Sequence, residues 1–396
     1  MKRFRGLICV ALALACGCAG SQCGSAADVP TASGCVSSAI DRVALGFTLT
    51  HYEVHLDRLG LCDTDRGATT EEKANIVLHY DDPAVRQRVR PMLQQMAQEG
   101  AQALRTILWY RLAEDVPMAH AVERHDHLGY PVATGGILPN GYIENLKEFA
   151  RDVAEAGYKR LYINMAPQGT SNPITSARTC RPGMPNCWHP DYLQEVWSVA
   201  DQVIGELRKD SGSRIDLVFD IASESCFLPD PNSELEQNLA RQVRYMVSHY
   251  ASTYGSGGFV VSCIGVRAQR ALPDLKALQA LYQELNVRPA AVDVHMYPLD
   301  AGQAEAILLA ASQAATALSV PLDISETFAN DPMVAQLLEQ LAGSGKLSNL
   351  RTVLVFPHSR SAVCHADVSP PYDVGGLERM FGLLDERGRR KPACSP

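Results

Sequence analysis

Short apolar segments alternate with amphipathic ones along most of this 396-residue chain, and this alternation constrains the fold more than any other feature. The apolar segments have the length of strands, and the amphipathic ones have the 3.6-residue period of helices. Eight such pairs fit between residue 43 and the carboxyl terminus. Eight consecutive strand–helix pairs predict an α/β fold, a (β/α)8 TIM barrel that forms a single domain.

The eight predicted strands are Val43–Thr50, Ala103–Trp109, Lys159–Met165, Ile215–Ala222, Gly258–Cys263, Ala290–His295, Pro321–Ser325 and Thr352–Phe356. The predicted helices are Pro83–Gln98, Tyr142–Ala156, Asp191–Lys209, Ser233–Tyr254, Leu272–Leu285, Ala301–Leu318, Asp331–Ala342 and Gly376–Asp385. A doubly wound open sheet is the alternative fold with this alternation. The first strand is not followed by Gly-x-Gly-x-x-Gly, so nothing favours a dinucleotide-binding form of it.

The sixth predicted strand separates polar from apolar side chains. Within Ala290–Tyr297, the residues Asp293, His295 and Tyr297 alternate with apolar ones. Because the side chains of a strand alternate between its two faces, these three groups share the face toward the barrel axis. The same alternation turns Asn164 of the third strand inward. Barrel folds carry their chemistry at the carboxyl ends of the strands, so we expect a polar site there.

The amino terminus has the pattern of an export signal. A basic start precedes the apolar run Gly6–Ala15, which is far shorter than the roughly 20 residues that span a membrane. Small residues then lead into Cys16 and Cys18, which resembles the lipobox of bacterial lipoproteins and implies a lipid anchor to a membrane through one of them. Cleavage after Ala27 is the alternative. We predict a signal peptide over residues 1–18, a tether or terminal segment over 19–40 and the barrel over 41–396.

This start implies an exported protein, a periplasmic or cell-surface lipoprotein or otherwise a secreted one, in which disulfides can form. Eight cysteines follow Asp28, an even number that permits complete pairing. Cys180 and Cys187 close a short Pro- and Gly-containing loop and are the pair that we predict. The spacing leaves the other connectivities open.

Charge and composition exclude two classes of protein. With 36 basic and 44 acidic residues, the net charge is −8, which argues against nucleic acid as a partner, and a hydrophobic fraction of 46% argues against disorder. A metal site is not predicted, because paired Cys-x-x-Cys spacings are missing after the signal. The loop after the second strand contains side chains that can bind a metal, namely His120, Glu123, His125, Asp126 and His127. Surface loops often contain such residues without binding a metal. We therefore predict no cofactor.

Two glutamates closely follow predicted strands and so lie at the end of the barrel where we expect the polar site. Glu224 comes just after strand 4, and Glu326 comes just after strand 7. Hydrolysis of a glycosidic bond with retention needs one carboxylic acid and one carboxylate about 5–5.5 Å apart, which strand ends across a barrel can supply. The alternative is that each is a solvated carboxylate at the end of a loop.

With these features the sequence resembles the clan A glycoside hydrolases, retaining (β/α)8 enzymes, over about residues 43 to 388. The resemblance implies that Glu224 is the acid/base and Glu326 the nucleophile. It further matches Arg105 to the arginine beside the nucleophile, and the segment with His295 and Tyr297 to its strand 6 neighbours. Arg105 and Tyr297 would then keep Glu326 ionised, while Glu224 donates the proton. A structural ion pair inside the barrel is the alternative role for Arg105.

The chain departs from the clan in two places. Ser223 stands before the acid/base, where members usually carry an Asn that bonds the sugar 2-hydroxyl. Strand 8 ends with Phe356, Pro357 and His358 in place of a sugar-stacking Trp. Aromatic rings and amides near the strand ends are further candidates, with core packing or loop hydrogen bonding as the alternative. The predicted substrate-binding residues are Arg105, Trp109, Asn164, Trp188, Ser223, His295, Tyr297 and His358.

The sequence thus predicts an exported glycosidase that acts on a β-linked oligo- or polysaccharide. One alternative is a barrel that binds glycans without cleaving them, which the serine at position 223 and the missing Trp of strand 8 favour. A second is a metal-dependent hydrolase that uses the histidine-rich loop. The sugar, the linkage and the oligomeric state stay open.

Overall fold

The computed structural model describes residues 42–53, 74–113, 131–168, 193–211, 214–264, 268–298, 300–329, 331–359 and 371–374. Within these residues, all eight predicted strands are present and parallel, which confirms the barrel. The barrel strands are β1 (Ala44–Thr48), β2 (Ala103–Leu112), β3 (Arg160–Gln168), β4 (Asp216–Asp220), β5 (Phe259–Val260 and Ser262–Ile264), β6 (Val292–Met296), β7 (Leu322–Ala329) and β8 (Leu350–Ser359).

The fifth strand closes the ring. Its first half, Phe259–Val260, pairs with β4, and its second half, Ser262–Ile264, pairs with β6. The remaining strands follow one another in chain order, and β1 pairs with β2 on one side and β8 on the other. A doubly wound sheet would have two open edges, so this closure excludes that alternative fold.

A helix follows each of the first seven strands, in the range that the amphipathic period predicts. The helices are α1 (Pro83–Gln98), α2 (Asn140–Glu155), α3 (Leu193–Ser211), α4 (Glu234–Tyr254), α5 (Ala268–Glu284), α6 (Ala301–Leu318) and α7 (Pro332–Gly343). Side-chain caps fix several of the starts: Asp82 accepts from the backbone of α1, and Asp331 accepts from that of α7, each just before a proline. The last predicted helix, Gly376–Asp385, lies outside the described residues.

An apolar layer fills part of the barrel interior. A buried cluster, separate from the large core between strands and helices, contains Ala103, Tyr162, Val218, Val260, Ala291 and Leu354. Gly46 of β1 makes the close approach to β2 possible, because a Cβ there would come within 1.8 Å of the Ala103 carbonyl oxygen. This filled lower layer is a packed core, and it leaves the upper end of the barrel for polar side chains.

A buried ionic group seals the foot of the barrel. Asp323, at the start of β7, accepts from the hydroxyl of Tyr162 at 2.7 Å and from Nε of Arg351 at 3.0 Å. Polar groups at this amino-terminal end of barrel strands contribute to stability rather than to chemistry. Among the described helices, none combines the length and the apolar character that crossing a bilayer requires.

Candidate active site

Two carboxylates meet at the upper end of the barrel. One oxygen of Glu224, one oxygen of Glu326 and a ring nitrogen of His295 all lie within 4.8 Å of one another. Glu326 lies inside β7, beside His295 of β6 in the sheet register, and Glu224 follows the end of β4. The fold therefore brings together side chains that are 102 positions apart in sequence, since 326 − 224 = 102.

Glu326 is held from both sides. Arg105 donates to Oε2 and the Tyr297 hydroxyl donates to Oε1, while Nδ1 of His295 lies 3.5 Å from Oε2. Its side chain is only 12% exposed. Burial alone would raise the pKa of Glu326, but Arg105, His295 and the Tyr297 hydrogen bond outweigh it and lower the pKa below its ordinary value. Glu326 is thus a fixed, ionised carboxylate.

Glu224 has a more open environment. Its side chain is 34% exposed, so a ligand or water can reach it, and Oε1 lies 2.9 Å from Nδ1 of His295. Its backbone has a φ of 54°, in the left-handed region that non-glycine residues rarely occupy. The Glu224 N–H donates to Oγ of Ser262 at 2.9 Å. Such strain persists only where the surroundings hold the backbone, and it concentrates at functional sites.

His295 connects the two carboxylates. The side chain is fully buried, and its Nε2 lies 3.3 Å from Nη2 of Arg105. Burial and Arg105 would lower the pKa of His295, but the Glu326 and Glu224 carboxylates outweigh them and raise it above its ordinary value, and Nδ1 faces Glu224. His295 therefore orients Glu224 and at the same time approaches Glu326.

Below these groups, two buried aspartates each bond a serine of the next strand. Asp220 of β4 accepts from the backbone N–H and the hydroxyl of Ser262 at 3.2 and 2.6 Å. Asp293 of β6 accepts from the backbone N–H and the hydroxyl of Ser325 at 3.1 and 2.7 Å. The two carboxylates and a nitrogen of His295 lie within 4.8 Å of one another. This layer supports the pair of glutamates from underneath.

Acidification should stabilise the fold through Asp293. Burial, helped by the Asp220 and Asp323 carboxylates and opposed by His295, raises the pKa of Asp293 to about 7. The folded chain then binds a proton between about pH 4 and pH 7 that an unfolded aspartate releases. The free energy of unfolding should therefore fall by up to about 4 kcal/mol across that window as the pH rises. Denaturant unfolding of the wild type and Asp293→Asn measures this slope, which the variant should lack; equal slopes would contradict it.

Some of the predicted substrate-binding residues contact the groups of the site, and others do not. Asn164 is fully buried, and its amide donates to Asp220 at 2.7 Å and to Oγ of Ser223 at 2.9 Å, so both residues belong to the site. Trp109 is half-buried in β2, with its ring 5.3 Å from that of His51.

The structure thus brings together Arg105, Asn164, Ser223, His295 and Tyr297 around the glutamates. Trp188 and the histidine-rich loop lie outside the described residues, and so does the side chain of His358 in β8.

Sequence reasoning missed two contacts of the Glu224 segment. One is Ser262, the polar residue in the otherwise apolar fifth strand. The other is a disulfide between Cys226 and Cys263, with the two Cα atoms 5.0 Å apart. Cysteine spacing left this pairing open, and the predicted Cys180–Cys187 pair lies outside the described residues.

Comparisons with known proteins find similar folds among solved structures. No protein-family model matches it, and no curated protein matches it. Among solved structures, it is similar to a hyperthermophilic beta-glucosidase mutant, at 11% identity and a TM-score of 0.49, covering 80% of this chain and 90% of that one. It is also similar to GH5_18 from Bifidobacterium longum, at 11% identity and a TM-score of 0.46, covering 89% and 77%.

A third similar structure is the endo-1,4-beta-D-mannanase from Thermotoga petrophila, at 13% identity and a TM-score of 0.43, covering 76% of this chain and 87% of that one. At these values, the chemistry of this chain has to be argued from its own side chains.

Proposed function

We propose that this chain is a retaining glycoside hydrolase that cleaves a β-linked oligo- or polysaccharide outside the cytoplasm. One observation carries the proposal: oxygens of Glu224 and Glu326 lie within 4.8 Å at the upper end of the barrel. Retaining hydrolysis uses carboxyl groups about 5–5.5 Å apart, whereas inverting hydrolysis needs about 6.5–9.5 Å to admit a water between them. The short separation favours retention.

The unequal surroundings of the two carboxylates support unequal roles. Glu326 is ionised and held on both oxygens by Arg105 and Tyr297, as a nucleophile must be before it attacks. Glu224 is the more exposed of the two and faces a single ring nitrogen of His295, which suits a group that exchanges protons with a leaving group and then with water.

The first step forms a covalent intermediate. An oxygen of Glu326 attacks the anomeric carbon, and the bond from that carbon to the leaving oxygen breaks. Glu224 transfers its proton to the leaving oxygen in the same step. Arg105 and Tyr297 hold the attacking carboxylate in place through its two oxygens.

The second step releases the sugar. Glu224, now a carboxylate, takes a proton from a water, and the water oxygen attacks the anomeric carbon. The bond from that carbon to Glu326 breaks, and the carboxylate returns to the hydrogen bonds of Arg105 and Tyr297. Two displacements at one carbon restore its configuration.

A non-catalytic glycan-binding barrel is the second candidate. Ser223, in the place where clan A enzymes usually carry Asn, favours it, since its hydroxyl already accepts from Asn164. Saturable glycan binding without turnover across a broad panel would support this candidate.

The proposed function is tested by trapping the intermediate. The protein is treated with a panel of 2-deoxy-2-fluoro glycosides that carry a dinitrophenyl leaving group, and its intact mass is recorded. We expect one glycosyl adduct, located by peptide mapping to Glu326. Glu224→Gln should still form it, because a good leaving group needs no proton, and Glu326→Gln should not. Turnover of a matched glycoside with no adduct, or an adduct on another residue, would contradict the assignment.

Export remains part of the proposal. The Cys226–Cys263 disulfide supports it, because structural disulfides persist in oxidising compartments. A lipid anchor through Cys16 or Cys18 is proposed on the sequence alone.

A further inference from the structure

The segment that carries Glu224 is bound to two consecutive residues of β5, Ser262 and Cys263. The N–H of Glu224 bonds the hydroxyl of Ser262, and Cys226 forms a disulfide with Cys263. Both cysteines are buried, at 5% and 3% exposure. One covalent and one polar link thus hold the same three-residue stretch, residues 224–226, on the same strand.

The hydrogen bond at Ser262 has a fixed direction. The Ser262 hydroxyl gives its only hydrogen to Asp220 at 2.6 Å, so it can only accept from Glu224. Asp220 is itself fixed by the amide of Asn164 at 2.7 Å. The backbone of Glu224 is therefore held by a chain of buried groups that starts on β3.

Without these links, the backbone of Glu224 would be free to relax to a more favourable conformation. Its left-handed backbone is an unfavourable conformation for a residue with a Cβ, and one peptide rotation would relax it. Its carboxylate would then leave the position 2.9 Å from His295 and within 4.8 Å of Glu326. The disulfide restricts that rotation from two residues away.

We propose that Ser262 and the Cys226–Cys263 disulfide are positioning residues that hold Glu224 in its strained conformation, so that proton donation to the leaving group depends on the intact disulfide. This inference rests on the proposed acid/base role of Glu224. Breaking the link chemically consumes one dithiol reductant, such as dithiothreitol, which is oxidised to its cyclic disulfide while the two cysteines take up two electrons and two protons.

The test uses the full chain and two substrates of one sugar. One substrate has a dinitrophenyl leaving group, which departs without a proton, and the other has an alkyl or sugar leaving group, which needs one. In Cys226→Ala/Cys263→Ala, we expect kcat/KM for the poor leaving group to fall about 10²-fold, the effect of a misplacement near 1 Å. With the dinitrophenyl substrate, kcat/KM should stay within about threefold while kcat falls, because base catalysis of the second step is also impaired.

Two further variants separate positioning from lost stability. Leu338→Ala opens a cavity in α7 without touching either link, so it should lower the unfolding midpoint and leave the ratio of the two kcat/KM values unchanged. Ser262→Ala keeps the disulfide and removes the hydroxyl, and it should change that ratio in the same direction as the cysteine variant. Equal losses on both substrates, or no loss on either, would overturn the inference.

Amide exchange makes the test independent of turnover. Hydrogen exchange of the Glu224 amide should be faster in the cysteine variant than in Leu338→Ala, with α6 exchanging as in the wild type. If the wild type hydrolyses no glycoside, the proposed function fails, and this measurement alone decides whether the links hold Glu224. Unchanged exchange at Glu224 would then overturn the positioning role.

Discussion

Replacing Glu326 by Gln should abolish hydrolysis, with kcat/KM falling by about 10⁵-fold or more for good and poor leaving groups alike. An amide has nearly the same shape, but it lacks the charge that the proposed nucleophile needs. Because no leaving group is good enough to replace the nucleophile, the loss should be the same across a series of aryl glycosides. Initial rates over that series measure it.

The matched control is Glu305→Gln, the same change at a half-exposed residue of α6, which should leave kcat/KM within about twofold. A Glu326→Gln variant that loses activity only on poor leaving groups would reverse the two roles. Glu326 would then be the proton donor, and Glu224 the nucleophile.

Replacing Arg105 by Met should lower the free energy of unfolding by about 3–5 kcal/mol near pH 8, because it leaves a buried carboxylate without its cation. Arg105 is 2% exposed and is the main group that lowers the pKa of Glu326. In the wild type that lowered pKa stabilises the fold above the unfolded pKa of a glutamate, and the contribution is lost as the pH falls through the folded value. The gap in unfolding free energy between variant and wild type should therefore persist at pH 5 and narrow only below about pH 4, where a free glutamate takes up its proton.

Denaturant unfolding at pH 8 and below about pH 4 measures that gap. The kcat/KM of Arg105→Met should also be lower than that of the wild type. Arg351→Met is the matched control, since Arg351 is also an arginine bonded to a buried aspartate, but at the foot of the barrel. It should cost stability and leave kcat/KM unchanged. Equal stability of Arg105→Met and the wild type at both pH values would contradict the ion pair.

The eight strands could be predicted from apolar runs, but their carboxyl ends could not. The second strand was expected to end at Trp109 and continues to Leu112, and the seventh was expected to end at Ser325 and continues to Ala329. Hydrophobicity stops where the strand begins to line the polar site, whereas backbone pairing with the neighbouring strand continues. Glu326 consequently lies within β7 rather than after it.

The site was predictable to the extent that it depends on strand order. Arg105 of β2, His295 of β6 and Glu326 of β7 turn toward the barrel axis, and Tyr297 and Glu224 come after the ends of β6 and β4. Their roles stay predictions until the variants are measured. The Cys226–Cys263 disulfide could not be predicted, because eight cysteines allow 105 connectivities. Only the folded structure, which brings the segment after β4 next to β5, selects this pair.

The division of β5 into two short halves affects where the barrel can open locally. Within the described residues, β4 meets β5 at Phe219–Phe259 and Asp220–Val260, a much shorter ladder than that between β2 and β3. Local opening is expected where few backbone hydrogen bonds join two strands, and this junction of β4 and β5 lies next to Glu224. The Cys226–Cys263 disulfide joins the segment after β4 to β5, so it limits how far this seam can open next to Glu224.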